Sequence, residues 1–547
     1  MRHSETPTRT CSPRWAVAEI LLIFVLFFLL AGTRPPDVNE VHYLAKAKHY
    51  WNPAWCAGDL FLESSDTHLI FFFTFGWQTL FWSLETSAWV GRLITWGLLA
   101  WSWRRLSVAL VPVRFMAVLT AGLFCCLLSC FHMAGEWLLG GFEAKGIAYA
   151  LVLFALEAIV RGSWRRVWLL LGVASSFHVL VGGWSVIAAG VAWALSPSDR
   201  PTMRSMLPAL LGGLALALPG LAPALTMSRG IDPEVVQAAS QIQVLERLRH
   251  HLSFHHILLQ PLVLDFEYLG IPTIRIGTPR LFFARHLLLA VFWLVLLWRL
   301  PDQGGHRRLH YFVGGTCLIS VLGIMVDQSS LTEPARAAPL LRYYWFRLAD
   351  VMVPLGAALA VGQWIERLAQ TSSSAAARWL AAALLVVTLH ATDAFLRHRH
   401  DPRPRAMQQP DSRGALRSRR LADWRKTCGW IAANSRAEEV FLTPRHQQTF
   451  KWYAERGEVI NWKDAPQDAQ ALVEWKRRMQ EVYPRKVAVR GLVAHGEAVL
   501  HRLARELGFR YVIIDRSRSA RPLEFPRVYP SPGTQSVYEV YLVPNDE

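Results

Sequence analysis

The sequence predicts an α-helical polytopic membrane protein that carries a soluble α/β domain at its C-terminal end. About eleven apolar stretches in roughly the first 400 residues are each long enough, at 1.5 Å per residue, to cross about 30 Å of hydrocarbon. Over roughly the last 140 residues the pattern changes to short helices alternating with short apolar strands. Composition agrees: 52% of the 547 residues are hydrophobic and 24 are Trp, too apolar for several soluble cores.

The first span, near 15–32, follows Arg2, Arg9 and Arg14 and so imitates a secretory signal. It is too long for a signal core and lacks a small-residue cleavage site, so it reads as an uncleaved span. Further spans are predicted near 86–103, 114–132, 146–161, 166–178, 180–196, 205–225, 283–299, 309–326, 349–365 and 378–396. The fifth and sixth meet around His178 and could be one bent span, which would invert everything after it.

Loop charge decides the count and the orientation, because cytoplasmic loops carry the excess of Arg and Lys. With the N-terminus cytoplasmic, Arg104, Arg105 and Arg114, then Arg161, Arg165 and Arg166, then Arg200 and Arg204, then Arg307 and Arg308, and finally Arg367 all lie inside. Merging the fifth and sixth spans would move Arg200, Arg307 and Arg308 outside. Eleven crossings place residues 33–85, 133–145, 226–282 and 327–348 and the C-terminal domain on the extracytoplasmic face of a cytoplasmic (inner) membrane. Residues 67–84, dense in Phe and Trp, read as an interfacial or re-entrant helix, since another crossing would break the charge rule.

Residues 1–397 thus form the membrane body, 398–420 a basic Arg- and Pro-rich linker, and 421–547 an extracytoplasmic α/β domain. Within the last, helices are expected at Ala422–Asn434, Gln447–Arg456, Ala469–Tyr483 and Gly496–Leu507, with strands at Val440–Thr443, Val459–Trp462, Tyr511–Asp515 and Val537–Leu542. The net charge of +17 sits in clusters between apolar spans and in the linker, with no nucleic-acid-binding motif beside it, so the expected partner is the membrane and not nucleic acid. Seven scattered cysteines give neither metal spacing nor a disulfide framework; Cys125, Cys126 and Cys130 lie within a span as small hydrophobes.

Chemistry is expected where polar residues meet the outer face. Asp37 and Glu40, in Pro35-Pro36-Asp37-Val38-Asn39-Glu40-Val41-His42-Tyr43-Leu44, follow directly on the first span. A carboxylate there can take a proton from an attacking hydroxyl or bind a metal. The plainer reading is a helix start, with Asp37 or Asn39 as cap and Glu40 favouring the dipole.

An acidic pair opening the first outer loop, eleven or so spans, a long fourth outer loop and an outer C-terminal domain together resemble the GT-C class of membrane glycosyltransferases. That class includes protein O-mannosyltransferases, aminoarabinose-lipid A transferases and oligosaccharyltransferases. In those families the loop often reads Asp-Glu-x-x-Tyr, which Asn39-Glu40-Val41-His42-Tyr43 resembles with Asn in the catalytic place. The stretch Asn39 to Trp51 also resembles a large family of bacterial membrane proteins best represented in planctomycetes.

The resemblance implies transfer of a sugar from a polyprenyl-phosphate lipid to a glycan, lipid or protein acceptor. Glu40 and Asp37 would be the catalytic carboxylates. Arg342 and Arg347, at the entry to the tenth span, would hold the lipid phosphate, although an aromatic and Arg interfacial belt explains them too. Glu143, with Glu136 in the second outer loop, and His49, Lys46 and His178 would shape the site; a Glu143–Lys145 ion pair or a tight Gly140-Gly141 turn are the structural alternatives. His255 and His256, with His250, His251, Asp265 and Glu267, make no known zinc pattern. No cofactor is expected with certainty, and a divalent metal stays open. A transporter or flippase, or a non-catalytic lipid- or glycan-binding protein on the same scaffold, are the competing classes.

Overall fold

A computed structural model describes residues 13–197, 200–260, 262–264, 274–276, 281–300, 304–407, 415–519 and 521–544. A helix occupies each predicted span: Pro13–Ala31, Leu84–Leu110, Met116–Phe131, Ala144–Val160, Trp164–Phe177, Val179–Ala194, Met203–Thr226, Leu281–Arg299, Gly304–Ser329, Arg347–Thr371 and Ser373–His400. Five of them, those starting at Pro13, Met203, Gly304, Arg347 and Ser373, are long and apolar enough to cross a membrane, so the count of eleven crossings rests on the sequence.

Around His178 there are two helices and not one. The backbone is extended there (φ −147°, ψ 99°), and Nδ1 accepts the Val181 amide at 3.3 Å, capping the second helix. The chain then doubles back so closely that a Cβ on Gly182 would lie 2.3 Å from the Ser175 amide. The Arg347–Thr371 helix forms the centre of the bundle and is almost wholly buried, whereas Ser373–His400 lies at its rim. Small residues permit the close approach: a Cβ on Gly356 would stand 3.0 Å from Trp293 Nε1, and one on Gly362 2.8 Å from Thr120.

The arginines predicted inside gather at one end of the bundle. Buried Glu157 receives Arg161 at 2.5 Å, Arg105 at 2.8 Å and Arg166 at 3.7 Å. Glu19 pairs with Arg104 at 2.7 Å, and Arg308 donates to the carbonyls of Ile159 and Val160, closing the last turn of the Ala144–Val160 helix.

At the other end, the first loop folds into short helices Glu40–Trp51, Leu60–Glu63 and Leu69–Phe75 and a 3₁₀ turn at Trp77–Leu80. The expected 67–84 helix is therefore broken at Gly76, where a Cβ would strike the Phe72 and Ala47 carbonyls. The fourth loop holds Pro233–Gln241, more short helices, and an antiparallel pair, β1 (Leu262–Leu264) and β2 (Ile274–Ile276). Asp265 and Glu267 lie outside the described residues.

The C-terminal domain is a five-stranded mixed sheet of β3 (Val440–Leu442), β4 (Gly457–Glu458), β5 (Tyr511–Asp515), β6 (Arg527–Tyr529) and β7 (Tyr538–Leu542) in the order β4-β3-β5-β7-β6. β3 runs parallel to β4 and β5, and β7 antiparallel to β5 and β6. Helix Ala469–Val482 buries Leu472, Trp475, Met479 and Val482, the 3.6-residue stripe its sequence shows. Two expectations shift. The strand placed at 459–462 ends at Glu458, because Asn461 Oδ1 accepts the amides of Lys463 (2.8 Å) and Asp464 (2.9 Å) and turns the chain out of the sheet. The 447–456 helix contracts to Phe450–Ala454 and ends at Glu455, which is left-handed (φ 51°).

The domain rests on the first loop through buried charge. Lys451 Nζ contacts Asp464 (2.6 Å) and Glu458 (2.7 Å) of its own domain and Asp59 (3.0 Å) of the loop, and the Glu458 amide donates to Asp59 Oδ2 at 3.2 Å. His42 Nδ1 meets Asp464 at 2.5 Å, and Ser65 and Thr67 bond to Asp468 and Gln467.

Candidate functional site

The site is built where the first and second outer loops, the entry to the Arg347–Thr371 helix and the 461–464 turn of the C-terminal domain converge. Glu40 opens the Glu40–Trp51 helix and is wholly buried. Arg92, within the Leu84–Leu110 helix, grips it from both sides, Nε to Oε1 at 2.8 Å and Nη2 to Oε2 at 2.5 Å. The amides of Phe142 (2.8 Å) and Asp37 (2.9 Å) donate to the same carboxylate. Glu40, expected to take a proton, has both carboxylate oxygens occupied by four donors. It is the keystone that ties the two outer loops to the bundle.

Asp37 is different. Its Oδ1 accepts the Val38 amide at 2.6 Å, while among the described residues Oδ2 is buried without a hydrogen-bond partner and has Arg405 at 3.7 Å. Gly140 and Gly141 lie over it, and a Cβ on Gly141 would approach Asp37 Cβ to 2.8 Å and Glu40 Cβ to 3.0 Å. Gly141 is thus required by close approach, and a Cβ on Gly140 would stand 3.3 Å from Asp37 Oδ2. Asn39 sits at the N-cap position without capping; its Nδ2 donates to Glu143 Oε2 at 3.4 Å.

Glu143 is buried and its Oε1 has no hydrogen-bond partner. Burial pushes its carboxyl above the ordinary value, with Lys145 opposing and the Asp37 charge adding to the rise. Lys145 lies between two carboxylates, 3.2 Å from Glu136 and 3.6 Å from Glu143, and 3.6 Å over the Trp137 ring. Arg347 holds the other Glu136 oxygen at 2.6 Å and stacks over Tyr344 at 3.9 Å. The 132–145 loop is fixed in turn by Asp350, which accepts the amides of Met133 (2.7 Å), Ala134 (2.9 Å) and Glu136 (3.1 Å). From the C-terminal domain Lys463 adds a cation whose pKa falls to about 8, chiefly through burial, with Arg247 also lowering it and Glu143 opposing.

Other expected residues stand apart. Lys46 is spent within the first loop on Ser64 (2.7 and 3.0 Å) and Asp66 (3.7 Å), and His49 on the Trp55 carbonyl at 2.8 Å. Neither reaches the carboxylates, since Lys46 is turned toward the Leu60–Glu63 helix, over the Phe61 ring, and His49 toward the turn at Trp55. The Arg342 side chain makes no hydrogen bond or ion pair among the described residues, leaving Arg347 alone of that pair in the cluster. His178 borders the site through a ring contact with His68 at 5.3 Å. The His255 backbone amide donates to Asp327 Oδ2 at 2.8 Å, and the His256 ring meets Ser253 Oγ at 3.0 Å.

Among the described residues no three His, Cys, Asp or Glu side chains are grouped to hold a metal. The ammonium of Lys145 stands between Glu136 and Glu143, where a cation would sit, so these residues do not fit a divalent ion. Arg92 and Lys463 were missed in the sequence. Arg92 carried a signal, a charge inside an apolar span; Lys463 carried none.

A domain of unknown function (DUF6798) matches residues 422–482, the segment that holds Lys451, Glu458 and the 461–464 turn. No curated protein matches the chain. Among solved structures, the oligosaccharyltransferase AglB of Archaeoglobus fulgidus, in complex with an inhibitory peptide and a dolichol-phosphate, aligns with TM-score 0.48 and 12% identity, over 91% of this chain and 69% of that one. The apo form of the Archaeoglobus fulgidus oligosaccharyltransferase aligns with TM-score 0.39 and 10% identity, over 92% and 70%.

Proposed function

We propose that the chain is a membrane glycosyltransferase of the GT-C type, which moves a sugar from a polyprenyl-phosphate-linked donor to an acceptor hydroxyl at the extracytoplasmic face of the inner membrane. The observation that carries this reading is the pairing of two buried, incompletely bonded carboxylates, Asp37 and Glu143, with the cations Lys145, Arg347 and Lys463 in one cluster. Eleven crossings with a cytoplasmic N-terminus, read from loop charge, put that cluster outside.

Asp37 Oδ2 accepts the acceptor's proton. The freed oxygen attacks C1 of the donor sugar, the bond from C1 to the phosphate oxygen breaks with its electron pair leaving on the phosphate, and the anomeric centre inverts. Arg347, Lys145 and Lys463 stabilise the departing anion. Asn39 is then a compensation and not a lesion: an Asp there would add a third carboxylate beside Asp37 and Glu143, whereas the amide donates to Glu143. The planctomycete-type family resemblance belongs to the same reading.

Asp37→Asn, purified in lipid nanodiscs and supplied with polyprenyl-phosphate sugars, is expected to lose transfer by about 10³-fold while remaining folded. Undiminished turnover would sink the assignment. A second reading, a non-catalytic lipid- or glycan-binding protein on this scaffold, is favoured by the depth at which Asp37 is buried. It predicts co-purifying polyprenyl phosphate by mass spectrometry with no transfer by the unaltered chain.

A further inference from the structure

Apart from the carboxylate cluster, the fourth outer loop and the C-terminal domain enclose a cleft of about 240 Å³. Arg247 comes from the loop; Arg445, Trp462, Trp475 and Arg485 come from the domain. Two guanidinium groups lie against one indole, Arg445 at 4.7 Å and Arg247 at 5.2 Å from the Trp462 ring centroid, and Trp475 packs 5.6 Å from the same ring. Arg247 Nη2 donates to the Lys463 carbonyl at 3.3 Å, which links the cleft to the turn that reaches the cluster.

The charge in this cleft is not balanced from within. The Nε atoms of Arg247 and Arg445 are buried without hydrogen-bond partners, and neither guanidinium is ion-paired among the described residues. The lining carboxylate, Glu246, pairs with Lys476. Burial lowers the pKa of both arginines, a sign of cations held out of water without full compensation. A guanidinium so placed is stabilised by an incoming carboxylate or phosphate, which accepts two parallel N–H groups. The volume is below the roughly 300 Å³ of drug-sized sites, which limits the occupant to about one sugar ring with its substituent.

We propose that this cleft binds an anionic saccharide, a sugar ring bearing a carboxylate or phosphate that the Arg247–Arg445 pair recognises. The alternative to be defeated is that the stack merely glues the domain to the loop. Binding, not turnover, is the readout, so this inference stands or falls separately from sugar transfer.

The full chain in lipid nanodiscs would be titrated by calorimetry with methyl glucuronide, glucose 1-phosphate, farnesyl phosphate and, as the neutral control, methyl glucoside. Saturable binding of a charged probe, weakened about tenfold or more in Arg445→Gln and absent for methyl glucoside, is the expected result. Arg445→Lys, which keeps the charge and loses the fork, should bind at intermediate strength and guards against a misfolded Gln variant. Glucuronide or glucose 1-phosphate binding supports the saccharide, whereas farnesyl phosphate binding alone, with neither sugar probe bound, shows a site for a lipid phosphate and overturns the proposal. No saturable binding of any charged probe, equal binding of methyl glucoside, or binding indifferent to both Arg445 variants overturns the proposal.

Discussion

The Ala144–Val160 helix carries a buried glutamate at each end, Glu143 and Glu157, roughly 21 Å apart at 1.5 Å per residue. At the Glu157 end one carboxylate meets three arginines, and those arginines are 34%, 54% and 49% exposed. At the Glu143 end Asp37, Glu136 and Glu143 share Lys145 and Arg347, and oxygen atoms on all three carboxylates lack hydrogen bonds. The first arrangement sets three cations that water can also reach around one carboxylate, whose Oε2 likewise lacks a hydrogen bond among the described residues, and an excess of cations suits anchoring. The second has fewer cations than carboxylates and is closed off from water, a costly state for buried charge.

Four substitutions test that contrast. The largest effect is expected at the undersupplied end, where Asp37→Asn should reduce transfer by about 10³-fold with an unchanged melting curve. A large loss of melting temperature would instead make Asp37 a structural acid. Next, Glu40→Gln should cost about 3 kcal/mol or more of stability, because Arg92 would be left as a buried, half-paired cation. The measurement is thermal unfolding in detergent, and a stable variant that fails only in transfer would return Glu40 to a catalytic role.

The third test concerns the seam between loop and domain. Burial pushes Glu458 up to about 7 from its ordinary 4.5, against the opposing pull of Lys451 and aided by the Asp464 and Asp59 charges. A carboxyl raised on folding binds a proton in the folded state that the unfolded state releases, so its contribution is complete below about 4.5 and fades as pH rises through 7. Limited proteolysis of the C-terminal domain should therefore be slower at pH 6 than at pH 8, and Glu458→Gln should flatten the difference. A steeper dependence in that variant would contradict the account. The smallest effect belongs to Glu157→Gln, which should cost within about 1 kcal/mol, since its exposed arginines can turn to solvent, and should leave transfer intact.

Much of this architecture was legible in the sequence because apolar length and loop charge are local properties. The helix bounds at Ala144–Val160 and the strand Tyr511–Asp515 fall within a few residues of where periodicity placed them. The slips occurred where a side chain overrode the pattern, as Asn461 did in ending β4 early. Site partners were less legible. Asp37 and Glu143 could be nominated from their position, but the division of labour between Glu40 and Asp37 depends on Arg92, 52 residues away from Glu40, and on which amides point at which oxygen. Lys463 lies in an unremarkable Asn461-Trp462-Lys463-Asp464 stretch, and only the folded turn brings it toward Glu143.

The Lys451–Asp59 contact has a consequence for how the protein is made. Asp59 leaves the ribosome nearly four hundred residues before its buried partner does. At about 5–20 residues per second the first loop must wait roughly 20–80 s, with Asp59 held by the Phe61 and Leu62 amides alone and lacking its cation, before the last domain arrives to close over it. Assembly is therefore committed late and all at once, so a nascent chain truncated before residue 451 should be recognised by quality control as unfinished, however well its helices have inserted.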